Sequence, residues 1–311
     1  MNPLVTLLLA LLAAYALSSL GLAALVAVIW RAGGRAWSRP QTLLALRLLP
    51  AAGALFIALG VVLPAFVAFE PAHEREAVGL PVTALAALAT ALLASGFARG
   101  WRAWRATRRL LERTLPTGRR LSVDGRTVEI LETSEPLVGV VGAFRPRFLA
   151  ARRVLEACEP GEFRQVLAHE SAHVAAADNL KLFASVASPD LLAWSPLGRA
   201  LTMRWRLAAE YAADERATGG DRRRRLELAS ALLKVARLTP PQCCEGAPLQ
   251  LSVAADDVAG RVRALLEPPS AATGPRVLPP ALALALSLAI AAAPLYPSVH
   301  DAFEALISLG R

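Results

Sequence analysis

Four apolar stretches free of charged residues punctuate this chain: Leu4 to Trp30, Leu48 to Phe69, Ala77 to Ala98, and Val277 to Val299 with its apolar centre at Ala281 to Ala293. A helix needs roughly 20 apolar residues to cross a bilayer, and each stretch has that length. None offers the polar face that a helix packed on a soluble core turns to water, so the pattern predicts four transmembrane helices. The first run exceeds the roughly 7 to 15 residues of a signal-peptide core and lacks a basic leader, which makes it a retained helix. The third and fourth runs bracket a long stretch with the mixed text of a folded domain. The expected organisation is three spans within 1–98 (about 4–30, 48–69 and 77–98), an inserted domain over 99–276, a fourth span over 277–299, and a short tail over 300–311.

Within the insert the period changes. Leu121 to Val123 and Arg126 to Leu131 are short β-type runs around Asp124-Gly125, the two-residue hairpin signal. Pro136 to Val141 and Arg147 to Ala150 form a second pair, so a small antiparallel sheet is expected. Three helical segments follow. Pro160 to about Asp178 begins with a first-turn proline, Pro196 to Thr218 begins behind Ser195 and stops at Gly219-Gly220, and Arg222 to Leu238 begins behind Asp221. The run from Leu182 to Gly198 is apolar apart from Asp190 but broken by Pro189 and Pro196. It reads as a loop or short helix leaning on the bilayer, with a buried linker as the alternative.

Composition agrees with a membrane part joined to a globular part: 311 residues, 55% hydrophobic and 19% charged, too apolar for a soluble domain and the reverse of a disordered chain. The net charge of +9 is almost all arginine, and its placement decides its meaning. Arg31, Arg35 and Arg39 occupy the first loop, whereas Glu70, Glu74 and Glu76 outnumber Arg75 in the second. The first loop is then cytoplasmic, the N-terminus external, and the insert cytoplasmic behind Arg99, Arg102, Arg105, Arg108 and Arg109. The expected location is a bacterial-type inner membrane. The charge is topological, and no finger spacing or recognition helix points to nucleic acid. Cys158, Cys243 and Cys244 do not form a disulfide framework and read as reduced thiols.

The strongest chemical signal is His169-Glu170-Ser171-Ala172-His173 in a chain with only four histidines. Imidazoles at i and i+4 share one helix face and can reach a single tetrahedral Zn2+ ion, with the intervening glutamate beside the open position. By composition alone the pattern arises by chance on the order of a few times in a thousand. A catalytic zinc keeps three protein ligands, and Glu210 is the candidate third; Asp214, one turn on, can hold a ligand imidazole from behind. The neighbours Ala208, Ala209, Ala212 and Ala213 favour inward-facing carboxylates over a solvated helix face. Glu170 would act as general base for peptide hydrolysis. Tyr211 and Arg216, nearby in sequence, project elsewhere around the helix and are not assigned. The Pro136 to Gly142 strand could receive an extended substrate at a sheet edge or be a core strand.

These residues, with PLVG at Pro136, RPRFLAARR at Arg145, Asp178-Asn179-Leu180, Ser195-Pro196-Leu197 and EYAADERA at Glu210, resemble the gluzincin membrane metallopeptidases of the BlaR/MecR antirepressor type. The resemblance spans the whole plan. It implies a multi-pass α-helical membrane protein with a cytoplasmic α+β gluzincin metallopeptidase domain inserted between helices 3 and 4. It also implies His169, His173 and Glu210 as zinc ligands, Glu170 as base and Asp214 behind the ligands; Asp178 matches a common family position and reads as a structural residue ending the zinc helix. The implied partners are the lipid bilayer and a cytosolic protein substrate, such as a helix-turn-helix repressor. The chain departs from the sensor members in two expected respects. No penicillin-binding domain follows the fourth span, and no S-x-x-K occurs, since Asp178 and Ala231 stand three before Lys181 and Lys234. Two further readings stay open: a quality-control protease of the HtpX type, expected to show a membrane hairpin between the zinc helices, and a non-catalytic receptor or scaffold with a structural metal site.

Overall fold

The computed structural model describes residues 3–33, 36–69, 79–114, 119–133, 135–238, 250–252 and 257–267. The expected fourth span at 277–299, the tail at 300–311, the acidic loop at 70–76, Cys243 and Cys244 lie outside the described residues. The described residues are mostly helical with one small mixed sheet, and the chain divides into two compact units. One covers Met1–Ala98 and Ala187–Thr202; the other covers Arg99–Val186 and the described part of Met203–Thr273.

In the first unit α1 (Pro3–Arg31) is followed by a helix that runs as α2 (Pro40–Ile57), a π turn (Ala58–Val62) and α3 (Leu63–Phe69). The π turn sits just before Pro64, whose missing N–H and ring disturb the regular ladder, a common origin of such turns. α4 (Leu80–Thr114) supplies the third long helix. These three are long and apolar enough to cross a membrane, and only 33%, 22% and 28% of their most apolar windows are buried within the protein. The remainder is exposed or half-buried and largely apolar, with Leu4, Leu8, Val28, Val67 and Phe97 exposed, on a scale that water does not tolerate and lipid does. α4 is 35 residues long, about 52 Å at helical rise, so it outruns a hydrocarbon core of about 30 Å and continues as the arginine-rich segment. Small residues pack these helices: Ala16, Ala54, Ala58 and Ala89 are buried around Tyr15, and Ala13 is buried against Val82.

The run at 182–198 belongs largely to this unit. It forms the end of α7 (Asp178–Ala187), a short 3₁₀ turn (Leu191–Trp194) and the start of α8 (Pro196–Thr218). Pro189 and Asp190 bind the apolar helices: Tyr15 Oη donates to the Pro189 carbonyl at 2.8 Å, and Arg47 Nη1 lies 3.1 and 3.2 Å from the two Asp190 oxygens.

In the second unit the strands are β1 (Arg119–Val123), β2 (Arg126–Leu131), β3 (Val138–Val141), β4 (Arg147–Ala151) and β5 (Gln250–Ser252), in the order β1-β2-β4-β3-β5. Both expected hairpins form. Asp124 and Gly125 have φ of 48° and 75°, as a turn whose two central residues are left-handed requires. The expectation of a purely antiparallel sheet is corrected: β2 and β4 pair in parallel, with Val128 opposite Phe148 and Leu131 opposite Ala151. The reason is burial. β2 is buried from Val128 to Leu131, and its place beside β4 lets Val128 and Ile130 share a core with Ala150 and Ala151. β3 lies between β4 and β5 and is buried throughout, which selects the core-strand reading over the free edge.

α5 (Arg152–Ala157) and α6 (Pro160–Ala175) pack against the sheet, α9 (Arg222–Leu238) packs on α6 and α5, and α10 (Val258–Leu266) packs on α9. α6 opens with a capping box: Glu159 caps the first turn, and Glu162 Oε2 accepts from the Glu159 N–H at 2.7 Å. Glu162 also accepts from Ser230 Oγ at 2.6 Å and Lys234 Nζ at 2.7 Å on α9. Phe163, Val166 and Leu167 of α6 then meet Leu228, Ala231, Leu232 and Val235 of α9 in the core. Cys158 is a buried free thiol, held by that burial up at about 11 and so unreactive.

Candidate metal centre

α6 has two buried sides. Residues 163, 166 and 167 face α9, and His169, Glu170 and His173 follow on, with His169 0%, Glu170 1% and His173 2% exposed. α8 contributes Glu210 and Asp214, one turn apart and both buried. His169 Nε2 and His173 Nε2 lie 3.1 Å apart, and the Glu210 oxygens lie 3.3 Å from His169 Nε2 and 3.4 Å from His173 Nε2. A tetrahedral zinc with bonds of 2.0 to 2.1 Å has ligand-to-ligand edges of about 3.3 Å. His169, His173 and Glu210 could therefore hold a metal ion.

The protons on the rings support the same conclusion. His173 Nδ1 faces Asp178 Oδ2 at 2.9 Å, and His169 Nδ1 faces Asp214 Oδ1 at 2.8 Å. A carboxylate can only accept, so His173 Nδ1 carries its hydrogen, and the negative charge of Asp214 beside His169 Nδ1 favours the same tautomer there, although that contact lacks hydrogen-bond alignment. In the neutral rings both Nε2 lone pairs then point at one another and at Glu210. Lone pairs converging in a buried space repel unless a cation lies between them. Charge points the same way: among the described residues, Glu170, Asp178, Glu210 and Asp214 gather around the imidazoles, and the cations paired with them are Arg261 and Lys181, two fewer than the carboxylates. Burial opposes a charged His173, yet the adjacent Asp178 and Glu210 hold its imidazolium up to about 10, which is the same demand for positive charge. Burial likewise opposes charge on Glu210 and Asp214, and Arg261 with the imidazoles outweighs it, holding both carboxyls below their ordinary values.

Glu170 stands apart from this pairing. Its Oε2 accepts the Val140 N–H of β3 at 3.0 Å, while Oε1 is buried without a hydrogen-bond partner among the described residues. Burial pushes its carboxyl up, ahead of the opposing pull of the two imidazoles.

Asp178 has a more direct place than the end of a helix, because it binds the His173 imidazole itself. α6 ends at Ala175, and Ala177 takes a left-handed φ of 54°, a conformation that costs a residue with Cβ roughly 1 kcal/mol. That turn reverses the chain at once and carries Asp178, the first residue of α7, back to His173. Asn179 follows and donates to the Val140 carbonyl at 2.9 Å and to that of Gly142 at 3.2 Å, so Val140 is gripped through both backbone groups. Arg261 of α10 is the residue that sequence reasoning missed entirely. It is 1% exposed and forks onto Asp214, Nε to Oδ2 at 2.8 Å and Nη2 to Oδ1 at 2.7 Å, while its Nη1 lies 2.7 Å from Glu210 Oε2. Tyr211 and Arg216 turn elsewhere, as their helix positions imply: Tyr211 Oη donates to Asp257 and Arg216 to the Ala172 carbonyl. Compared with known proteins, the chain matches no family model, no curated protein and no solved structure.

Proposed function

We propose that this chain is a membrane-anchored zinc metalloendopeptidase of the BlaR/MecR antirepressor type, cleaving a cytosolic regulator of repressor class in signal transduction. The observation that carries the reading is the pairing, on one helix, of two convergent imidazole Nε2 atoms with a buried glutamate that keeps one oxygen unengaged. Zinc, when bound by His169, His173 and Glu210, supplies Lewis acidity that polarises the scissile carbonyl and draws the pKa of bound water towards about 7. Every other task falls to the protein. Val140 holds Oε2 of Glu170, so Oε1 is the oxygen that takes the proton from the attacking water and later delivers it to the leaving amine. The burial that raises the Glu170 carboxyl suits it to hold that proton between the two steps. Asp178 and Asp214 hold the two rings with Nε2 turned to the metal.

Two features favour this reading over the alternatives. Among the described residues, no helix long enough to span a membrane lies between His173 and Glu210, where the HtpX type would place a hairpin. A structural metal site has no use for the free Glu170 oxygen.

Glu170→Gln should retain zinc and fold while hydrolysis, followed as cleavage of the regulator or of the chain itself in cells, falls by roughly 100-fold to 10,000-fold. His169→Ala should lose the zinc itself, as metal analysis of the purified chain would show. A Glu170→Gln variant that cleaves normally rejects the peptidase and leaves the receptor. The reading includes a fourth span, an external N-terminus and a cytoplasmic metal domain. A reporter enzyme fused after Gly118 should be active only in its cytoplasmic form; activity only in the external form reverses the orientation and excludes a cytosolic substrate.

A further inference from the structure

The geometry points to Arg261 as a positioning residue that makes Glu210 a one-oxygen ligand and so keeps a coordination position open for water and substrate. This rests on the metal centre proposed above and adds the residue that sets its coordination number.

A carboxylate between two imidazole ligands can bind a metal through one oxygen or through both. Bound through both, Glu210 would fill the place that a catalytic zinc reserves for water. Here the two oxygens differ. Arg261 Nη1 stands 2.7 Å from Oε2, which also lies 3.3 Å from His169 Nε2, whereas Oε1 faces the His173 imidazole at 3.4 Å and no guanidinium or ammonium among the described residues. An oxygen already paired with a permanently charged guanidinium is a poorer donor to a metal, which leaves Oε1 as the stronger one.

The guanidinium has no freedom to let go. Its other two donors close on both oxygens of Asp214, whose Oδ1 also faces His169 Nδ1, so one planar fork positions a ligand carboxylate and the partner of a ligand imidazole together. α10 itself is moored to its surroundings. Its N-cap Asp257 accepts from Gly260 N at 3.1 Å and from Tyr211 Oη at 2.8 Å, one residue beyond Glu210. Leu265 enters the core, and Arg225 donates to the Ala264 carbonyl at 2.6 Å. A lysine at 261 would keep the charge but, as a point donor, could not hold both carboxylates.

The test uses the full chain in detergent, loaded with cobalt(II), whose visible absorption is intense when four-coordinate and weak when a further ligand is added. Acetohydroxamate serves as probe of the open position. The unmodified protein should show the intense band and a spectral shift on adding acetohydroxamate. In Arg261→Gln, Glu210 should close with both oxygens, so cobalt is retained, the band weakens, and acetohydroxamate affinity falls by roughly 10-fold or more. Arg261→Lys should lie between. If Arg261→Gln fails to fold, Arg261→Lys decides: a weakened band supports the assignment, and an unchanged band with unchanged acetohydroxamate binding overturns it. A folded Arg261→Gln whose only change is lower metal uptake makes Arg261 a plain counter-charge and also overturns it. A weak band in the unmodified protein does the same. Unmodified protein that takes up no cobalt rejects the metal centre, a distinct outcome from failure of Arg261 alone.

Discussion

Each unit of the molecule buries an arginine against carboxylates, and the two clusters are balanced differently. In the unit of apolar helices Arg47 and Asp190 are 2% and 0% exposed, one cation to one anion. Asp190 spends both oxygens inside the protein: besides Arg47, it accepts from Ser188 Oγ at 2.6 Å and from the Ala193 N–H at 3.1 Å. In the other unit Arg261 serves two carboxylates at once, the carboxylates outnumber the cations by two, and Glu170 keeps an oxygen unpaired. A balanced pair of charges whose carboxylate has both oxygens engaged marks a device for holding structure. Excess negative charge, buried at similar depth, is what a bound cation would neutralise. The contrast separates the two clusters more surely than burial does, since both are almost wholly hidden from solvent.

The comparison can be broken from the balanced side first, where the largest effect is expected. Asp190→Ala leaves Arg47 buried without its anion and should destabilise the chain by about 3 to 5 kcal/mol, read as a lower unfolding temperature in detergent. Its metal content per folded molecule should not change. Replacing both partners, Arg47→Met with Asp190→Leu, removes the charges together and should restore most of that loss. If the double replacement is as unstable as the single one, the pair is not a self-contained knot and the contrast fails.

A smaller effect sharpens the unbalanced side. Asp178→Asn keeps an acceptor for His173 Nδ1 but removes one negative charge from the cluster. Zinc affinity, measured by competition with a chromogenic chelator, should fall by roughly 10-fold to 100-fold with little change in fold. Unchanged affinity would mean that Asp178 merely ends a helix, the role its sequence position suggested.

Much of the candidate site was legible because its signals are local. The i, i+4 spacing of His169 and His173, the same spacing of Glu210 and Asp214, the proline starts of α6 and α8, and the Asp124-Gly125 turn each follow from a few neighbouring residues. What was missed depends on residues far apart or on conformations the side chains do not announce. The parallel pairing of β2 with β4 is one such feature, because short strands specify their face but not their neighbour. Ala177 is another: alanine does not advertise a left-handed turn, and without it nothing brings Asp178 back to His173.

By itself, then, the sequence determined where apolar helices form and which side chains could face one another across a turn, because helical period and the cost of burying charge act along the chain. The tertiary structure alone decided that Asp190 answers Arg47 and that Arg261, 47 residues beyond Asp214, answers two carboxylates. A buried charge must find a partner, but burial does not specify which one; only the packing that brings distant segments together does.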